Sequence, residues 1–335
     1  MRGKRWLRPI GGVLVAAAFV YLAFGRLHWS EIETVLRSAS MPPLVLALVA
    51  LAAGFSVRIL RWWWMLRALE PGLRLHRCIR PFLVSIAVNN TVPLRAGDLV
   101  RAFGFADTLR SPPMRVIGTL VVERVLDMFV LLAFFFIGLL GVAAGAFPPA
   151  FVITGVILGT VCLTGILVLI LVPDQLERLL LRLLQSRPLA KQRWTQQVST
   201  LLAQLFAGLS LLRSPRRALQ LLALSLVAWT LEGTMFAAVA WSLRTEASPL
   251  GPWFALSTGT LATLLPSSPG YVGTFDYFAM LGLVAYGASR TAAAAFALLV
   301  HLILWLPVTL VGAAYLAAPR GRLALRQAQS VPEPT

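Results

Sequence analysis

Six apolar blocks, at residues 9–25, 42–57, 116–144, 150–172, 218–243 and 291–318, constrain this chain more than any single motif. Crossing a bilayer takes roughly 20 consecutive apolar residues, and these blocks approach or exceed that length. Arginine-rich connectors separate them. Only 13% of the 335 residues are charged, against roughly a quarter in a soluble protein. The expected fold class is therefore an all-α polytopic membrane protein of about eight membrane segments. A single integral domain is expected over 1–318, with a short tail at 319–335.

The net charge is +17, and lysine occurs only at Lys4 and Lys191. In a soluble chain such a balance would point to nucleic acid. Here the basic residues flank apolar blocks, where they orient spans against anionic lipid, so no nucleic-acid partner is expected. The segment 58–80 carries six arginines against Glu70, and 174–217 carries eight basic residues against two acidic ones. Positive-inside logic puts both termini, 58–115 and 174–217 in the cytoplasm of a cell inner or plasma membrane. The first block has no convincing cleavage site before Arg26 and reads as a retained helix. Leucines at 176, 179, 180, 183 and 184, then a helical period from Trp194 to Leu212, make 174–217 a pair of amphipathic helices. "RILRWWWMLR", starting at Arg58, reads as an interfacial anchor.

Two stretches break the apolar pattern: "NNTVPLRAGDLVR" from Asn89 and "LPSSPGYVGTFD" from Leu265. Non-helical backbone at membrane depth is tolerated only inside protein or beside a water-filled cavity. Pro93 and Gly97 in the first, and Pro266, Pro269, Gly270 and Gly273 in the second, mark broken loops that could gate a path. Each stretch places an acid near its end, Asp98 and Asp276. On the expected topology they enter from opposite faces, as in an inverted repeat, although no residue-by-residue repeat is visible. Two ordinary interhelical loops are the plainer reading.

Ionisable groups inside apolar helices come next. In "VVERVLDMFVLL", Glu123 and Asp127 share a face, and Arg124 can pair with Asp127 three residues on. Glu232 stands alone in "LVAWTLEGTMF" and should find a partner, such as an arginine from a broken segment. His301 reads as a packing residue and Arg290 as an outer-interface anchor. Cys78 and Cys162 lie far apart, with neither metal spacing nor a disulfide framework. No P-loop and no Ser-His-Asp pattern stands out. No cofactor, metal or catalytic residue is expected, and the chain is not expected to be an enzyme.

At "RILRWWWML", "NNTVPLRAGDLVRAF", "VVERVLDMF" and "LLPSSPGYVGTFDYF" the sequence resembles the lysylphosphatidylglycerol synthase transmembrane-region family of flippase-like membrane proteins. The resemblance covers about residues 10–318. It implies a helical domain that moves a lipid, or its headgroup, between leaflets. Bifunctional members carry a soluble aminoacyl-transferase domain after the membrane domain. Without such a domain this chain is expected not to synthesise lysylphosphatidylglycerol. Asp98 and Asp276 stand where the family commonly has Glu, and Tyr271 where it often has Gly.

The expected function is a flippase for an anionic phospholipid or lipid-phosphate carrier. Arg95 and Arg101 would face a polar cavity and hold a phosphate in bidentate fashion. Asp98, Glu123, Arg124 and Asp127 would keep them oriented, with Glu232 and Asp276 completing the polar set. A non-transporting assembly subunit and a membrane-embedded lipid or glycosyl transferase are the competing classes. A second copy of the chain or another membrane protein stays open as a partner.

Overall fold

A computed structural model describes residues 17–25, 27–92, 95–142, scattered positions between 153 and 182, 193–265 and 268–318. The expectations for Pro93, Pro266, most of 174–192 and the tail fall outside those residues. The described residues form helices and turns, with no strand among them.

Local chemistry sets the helix starts. Proline occupies the first turn of Met41–Leu69, Pro113–Leu140, Pro215–Ser242 and Gly251–Ala262. There its missing N–H costs no intrahelical bond. The Ser289 hydroxyl caps Arg290–Ala317 by accepting from the Ala292 N–H at 3.2 Å.

Met41–Leu69, Pro215–Ser242 and Arg290–Ala317 are long and apolar enough to cross a membrane. That is three helices among the described residues, against about eight segments expected. Pro113–Leu140 matches them in length, but it carries Arg115, Glu123, Arg124 and Asp127 between its start and its middle. The block expected to end near residue 57 continues as helix to Leu69, because the arginines that follow have partners inside the bundle.

The element order repeats. Long helix Met41–Leu69 leads to short helices His76–Thr91 and Ala96–Phe103, then to long helix Pro113–Leu140. Long helix Pro215–Ser242 leads to short helices Gly251–Ala262 and Thr274–Val284, then to long helix Arg290–Ala317. The two opening helices pack together along their length and run antiparallel. At one end the Ser40 N–H donates to the Ser242 carbonyl at 3.0 Å and the Ser242 hydroxyl to the Ser40 carbonyl at 2.8 Å. Further along, Arg61 meets Ser225. Equivalent helices pointing opposite ways are the mark of an inverted repeat.

The halves are also exchanged. His76–Thr91 lies antiparallel to the closing helix of the other half, with Arg80 on the Tyr315 carbonyl at 2.8 Å and Asn90 on Thr309 at 2.8 Å. Gly251–Ala262 lies along Pro113–Leu140 in the same way, with the Phe135 and Phe254 rings stacked at 5.6 Å. Neither half can therefore bury its apolar faces without the other. The one amphipathic helix described in the 174–217 region, Arg193–Leu209, packs on Pro113–Leu140, where Gly118 and Gly208 bring the two backbones together.

Candidate functional site

Each pair of short helices forms a hairpin. Asn90, near the first tip, contacts Trp305 and Thr309, the sixteenth and twentieth residues of the 28-residue helix Arg290–Ala317. At 1.5 Å per residue that helix is about 42 Å long, so the tip sits near its middle. The break between His76–Thr91 and Ala96–Phe103 thus falls beside the middle of a helix long and apolar enough to cross a membrane.

The two tips touch. The Trp305 indole N–H donates to the Asn90 carbonyl at 3.2 Å. A Cβ on Gly270 would lie 2.9 Å from that indole nitrogen and 3.2 Å from the same carbonyl. Gly270 has φ of 69°, so glycine is needed there both for the turn and for the approach.

The second helix of each hairpin begins in the same manner. Its N-cap has positive φ, 53° at Arg95 and 84° at Gly273. Its third residue is an acid, Asp98 or Asp276, which favours the N-terminal end of the helix dipole. Each acid faces the twelfth residue of its own half's closing helix. Arg124 lies 3.8 Å from Asp98, and His301 lies 2.7 Å from Asp276. A repeat invisible in residue identities is thus present in polar geometry.

At the first tip Asn89 ties the hairpin together, accepting from the Gly97 N–H at 2.8 Å and donating to Asp98 at 3.1 Å. Arg95 is half-buried, and its side chain has no ion-pair or hydrogen-bond partner among the described residues. A left-handed conformation costs an arginine about 1–2 kcal/mol, and such strain clusters where a site needs a group held in place. Arg124 keeps 40% of its side chain exposed, and its contacts to Asp98 and Glu123, at 3.8 and 3.9 Å, are too long to be hydrogen bonds.

Arg101 does not face a cavity. It is fully buried, with its guanidinium 3.6 Å from the Trp62 ring centroid and 4.4 Å from that of Phe82, and 3.4 Å from Glu123. Its role is to fasten the hairpin to Pro113–Leu140 and Met41–Leu69. The expected Arg124–Asp127 pair is also replaced. Asp127 accepts two bonds from Arg61, at 2.5 and 3.1 Å, and one from the Trp229 indole at 3.0 Å. Glu232 does find an arginine, but it is Arg58 at 2.6 Å, from the segment read as an interfacial anchor. Arg58 is 8% exposed and Arg61 fully buried. Their spacing of three puts both on one helix face, aimed at carboxylates from Pro113–Leu140 and Pro215–Ser242. That spacing was the available signal, and the adjoining tryptophans obscured it.

At the second tip the chemistry is sparser. Asp276 accepts from the Gly273 N–H at 2.8 Å through one oxygen and contacts the His301 Nδ1 through the other. Phe275 packs edge-on to the imidazole, with centroids 5.3 Å apart. Pro269 is exposed. Asn89, Asn90, His301 and Trp305 all belong to the polar junction, although sequence reasoning gave them no part in it. An apolar groove of about 460 Å³ flanks the first hairpin, lined by Phe55, Ile59, Leu83 and Pro307, with Ser56 as a polar exception.

The family model for the lysylphosphatidylglycerol synthase TM region matches residues 10–312. The chain belongs to that family. Both hairpins, the first closing helix, most of the second and every ion pair described above fall within the matched residues. The chain is also 25% identical, over 341 aligned residues, to glycosyltransferase AglD of Haloferax volcanii. That alignment covers 93% of this chain and 54% of the relative, so the chain spans about half the length of the curated protein it matches. Family and helix composition together make it a multi-pass membrane protein whose relatives are named for work on lipids and glycans.

Proposed function

We propose that this protein moves an anionic phospholipid or lipid-phosphate carrier between leaflets. One observation carries the reading: two accessible arginines, Arg95 and Arg124, stand beside a break between helices, one strained and with no side-chain partner among the described residues, the other loosely held. A phosphate offers oxygens that two guanidiniums can share through charge-assisted bonds. Asp98 and Glu123 keep Arg124 in place while the site is empty of lipid. The apolar groove by Phe55 and Pro307 accommodates acyl chains while the headgroup engages the tip. The inverted, exchanged halves supply two faces that can open in turn. Both termini are cytoplasmic in this reading, and the chain performs no covalent chemistry.

The test is lipid movement in proteoliposomes, with a panel of fluorescent anionic, zwitterionic and isoprenoid-phosphate lipids followed by external quenching. Wild type should move one anionic class. Arg95→Ala and Arg124→Ala should lose at least about tenfold of that rate, the equivalent of one charge-assisted bond at roughly 1.5–3 kcal/mol. Asp98→Asn, which frees Arg124, should also lose rate. Movement of no lipid by well-folded protein would sink the reading. The named activity of the longer relative would then favour a membrane-embedded transferase, tested by turnover of labelled donor.

A further inference from the structure

The two tips share one plan, and one of their chemical differences lies on the closing helix. At the twelfth position of the closing helix the first half has Arg124, which stays protonated at any working pH, and the second half has His301. Histidine is the side chain whose ordinary titration falls between pH 5 and 8. The first tip sets Asp98 against a guanidinium that only donates, and the second sets Asp276 against an imidazole whose two nitrogens can donate or accept.

Geometry identifies the nitrogen that takes the proton. Asp276 receives the Gly273 N–H on Oδ2 and faces His301 Nδ1 with Oδ1. A carboxylate only accepts, so Nδ1 carries the hydrogen and Nε2 is the site left for a second proton. His301 keeps 16% of its side chain exposed, whereas Asp276 keeps 3%. Three charged groups on the other elements packed against this helix have partners of their own. Arg80 binds the Tyr315 and Ala318 carbonyls, Glu31 takes the Thr291 hydroxyl, and Glu232 holds Arg58. Within ion-pair distance, Asp276 is the carboxylate that meets His301 among the described residues. One helical turn on, Trp305 holds the other tip through Asn90.

We infer that His301, backed by Asp276, is a proton-binding site coupled to anion binding at the Arg95–Arg124 tip, so that proton and lipid are moved interdependently. The inference rests on the transport reading above. A proton from water adds to Nε2 on the side where the junction is open, and it leaves as the junction opens to the other side. An imidazolium at the junction raises the positive potential around the tip, so the anionic headgroup binds more tightly at low pH. Linkage requires the reverse as well: bound lipid must raise the proton affinity of His301 by the same factor.

The experiment uses the full chain. Affinity for dihexanoyl phosphatidylglycerol is measured at pH 5.5 and 8, beside ¹⁵N-histidine NMR titration with and without that lipid. Only three histidines, His28, His76 and His301, need assignment. Lipid translocation in proteoliposomes is followed across the same pH range. We expect affinity to rise at least about 5-fold at pH 5.5, in the range typical of coupled sites, and the His301 resonance to shift with lipid. His301→Gln and His301→Arg should both flatten the pH response while the protein stays monodisperse. His301→Gln lowers affinity to the high-pH value and His301→Arg holds it near the low-pH one. Translocation and affinity that remain equally pH-dependent in His301→Gln overturn the coupling and leave transport standing. Translocation that is pH-independent in wild type does the same. No binding or movement of any lipid overturns the transport reading and the coupling together.

Discussion

The first hairpin tip crowds Arg95, Asp98, Arg101, Glu123 and Arg124 into one region, while the second has Asp276 and His301 behind a turn of proline, glycine, tyrosine and valine. Both open their inner helix with a positive-φ cap, and both set an acid at its third residue against the closing helix. The same backbone device has been used twice and given chemistry mostly once. On the proposed transport reading, one copy binds while the other turns and seals.

The largest effect should come from the frame that the two halves share. Arg61 is fully buried and has Asp127 as its ion-pair partner. Asp127→Ala leaves that charge unpaired, at a cost of about 3–5 kcal/mol. The protein should fail to accumulate as a monodisperse species, or should melt far below wild type in detergent. Arg95→Ala removes no partner and should melt as wild type. Asp127→Ala protein with unchanged melting and lost transport would move Asp127 from the frame to the site and erase the distinction.

That distinction is where sequence reasoning stopped. The helical class, the two broken stretches and Asp98, Glu123 and Asp276 as interior groups were legible, because apolar length and misplaced polarity are local signals. Which arginine meets which acid was not. Arg124 and Asp127 are helical neighbours, yet Asp127 takes Arg61, 66 positions away. Glu232 takes Arg58 across the crossing of the two opening helices, where each is the eighteenth residue of its helix. Such pairings depend on packing between helices far apart in the chain, which no window of sequence contains. The repeat escaped detection because its halves share cap geometry and the lengths of their long helices while differing in side chains.

A middle-sized effect should separate the tips by rigidity. A Cβ on Gly97 would overlap the Ser85 carbonyl oxygen, a backbone atom fixed in a helix. Gly97→Ala should therefore cost about 1–3 kcal/mol by overpacking and pry the first hairpin apart. Gly270→Ala meets the Trp305 side chain instead and adds a left-handed strain of about 1–2 kcal/mol. Melting curves should rank Gly97→Ala below Gly270→Ala. The opposite ranking would make the second tip the more tightly built of the two.

The smallest effect is the most telling, because it acts on the contact between the tips. The Asn90 carbonyl belongs to the last turn of His76–Thr91, where helix carbonyls lack intrahelical partners, and the Trp305 indole supplies a donor. Trp305→Phe keeps an aromatic ring but removes that donor, worth about 0.5–1.5 kcal/mol. Stability should fall by no more than that amount. If the tips must part for a headgroup to pass, the broken bond lowers the barrier rather than the fold. Translocation should then quicken by about 2–10-fold, the same free energy expressed as a rate. A slower rate would mean that the junction holds Arg95 and Arg124 in register during passage. The second tip would then be part of the binding site rather than its gate.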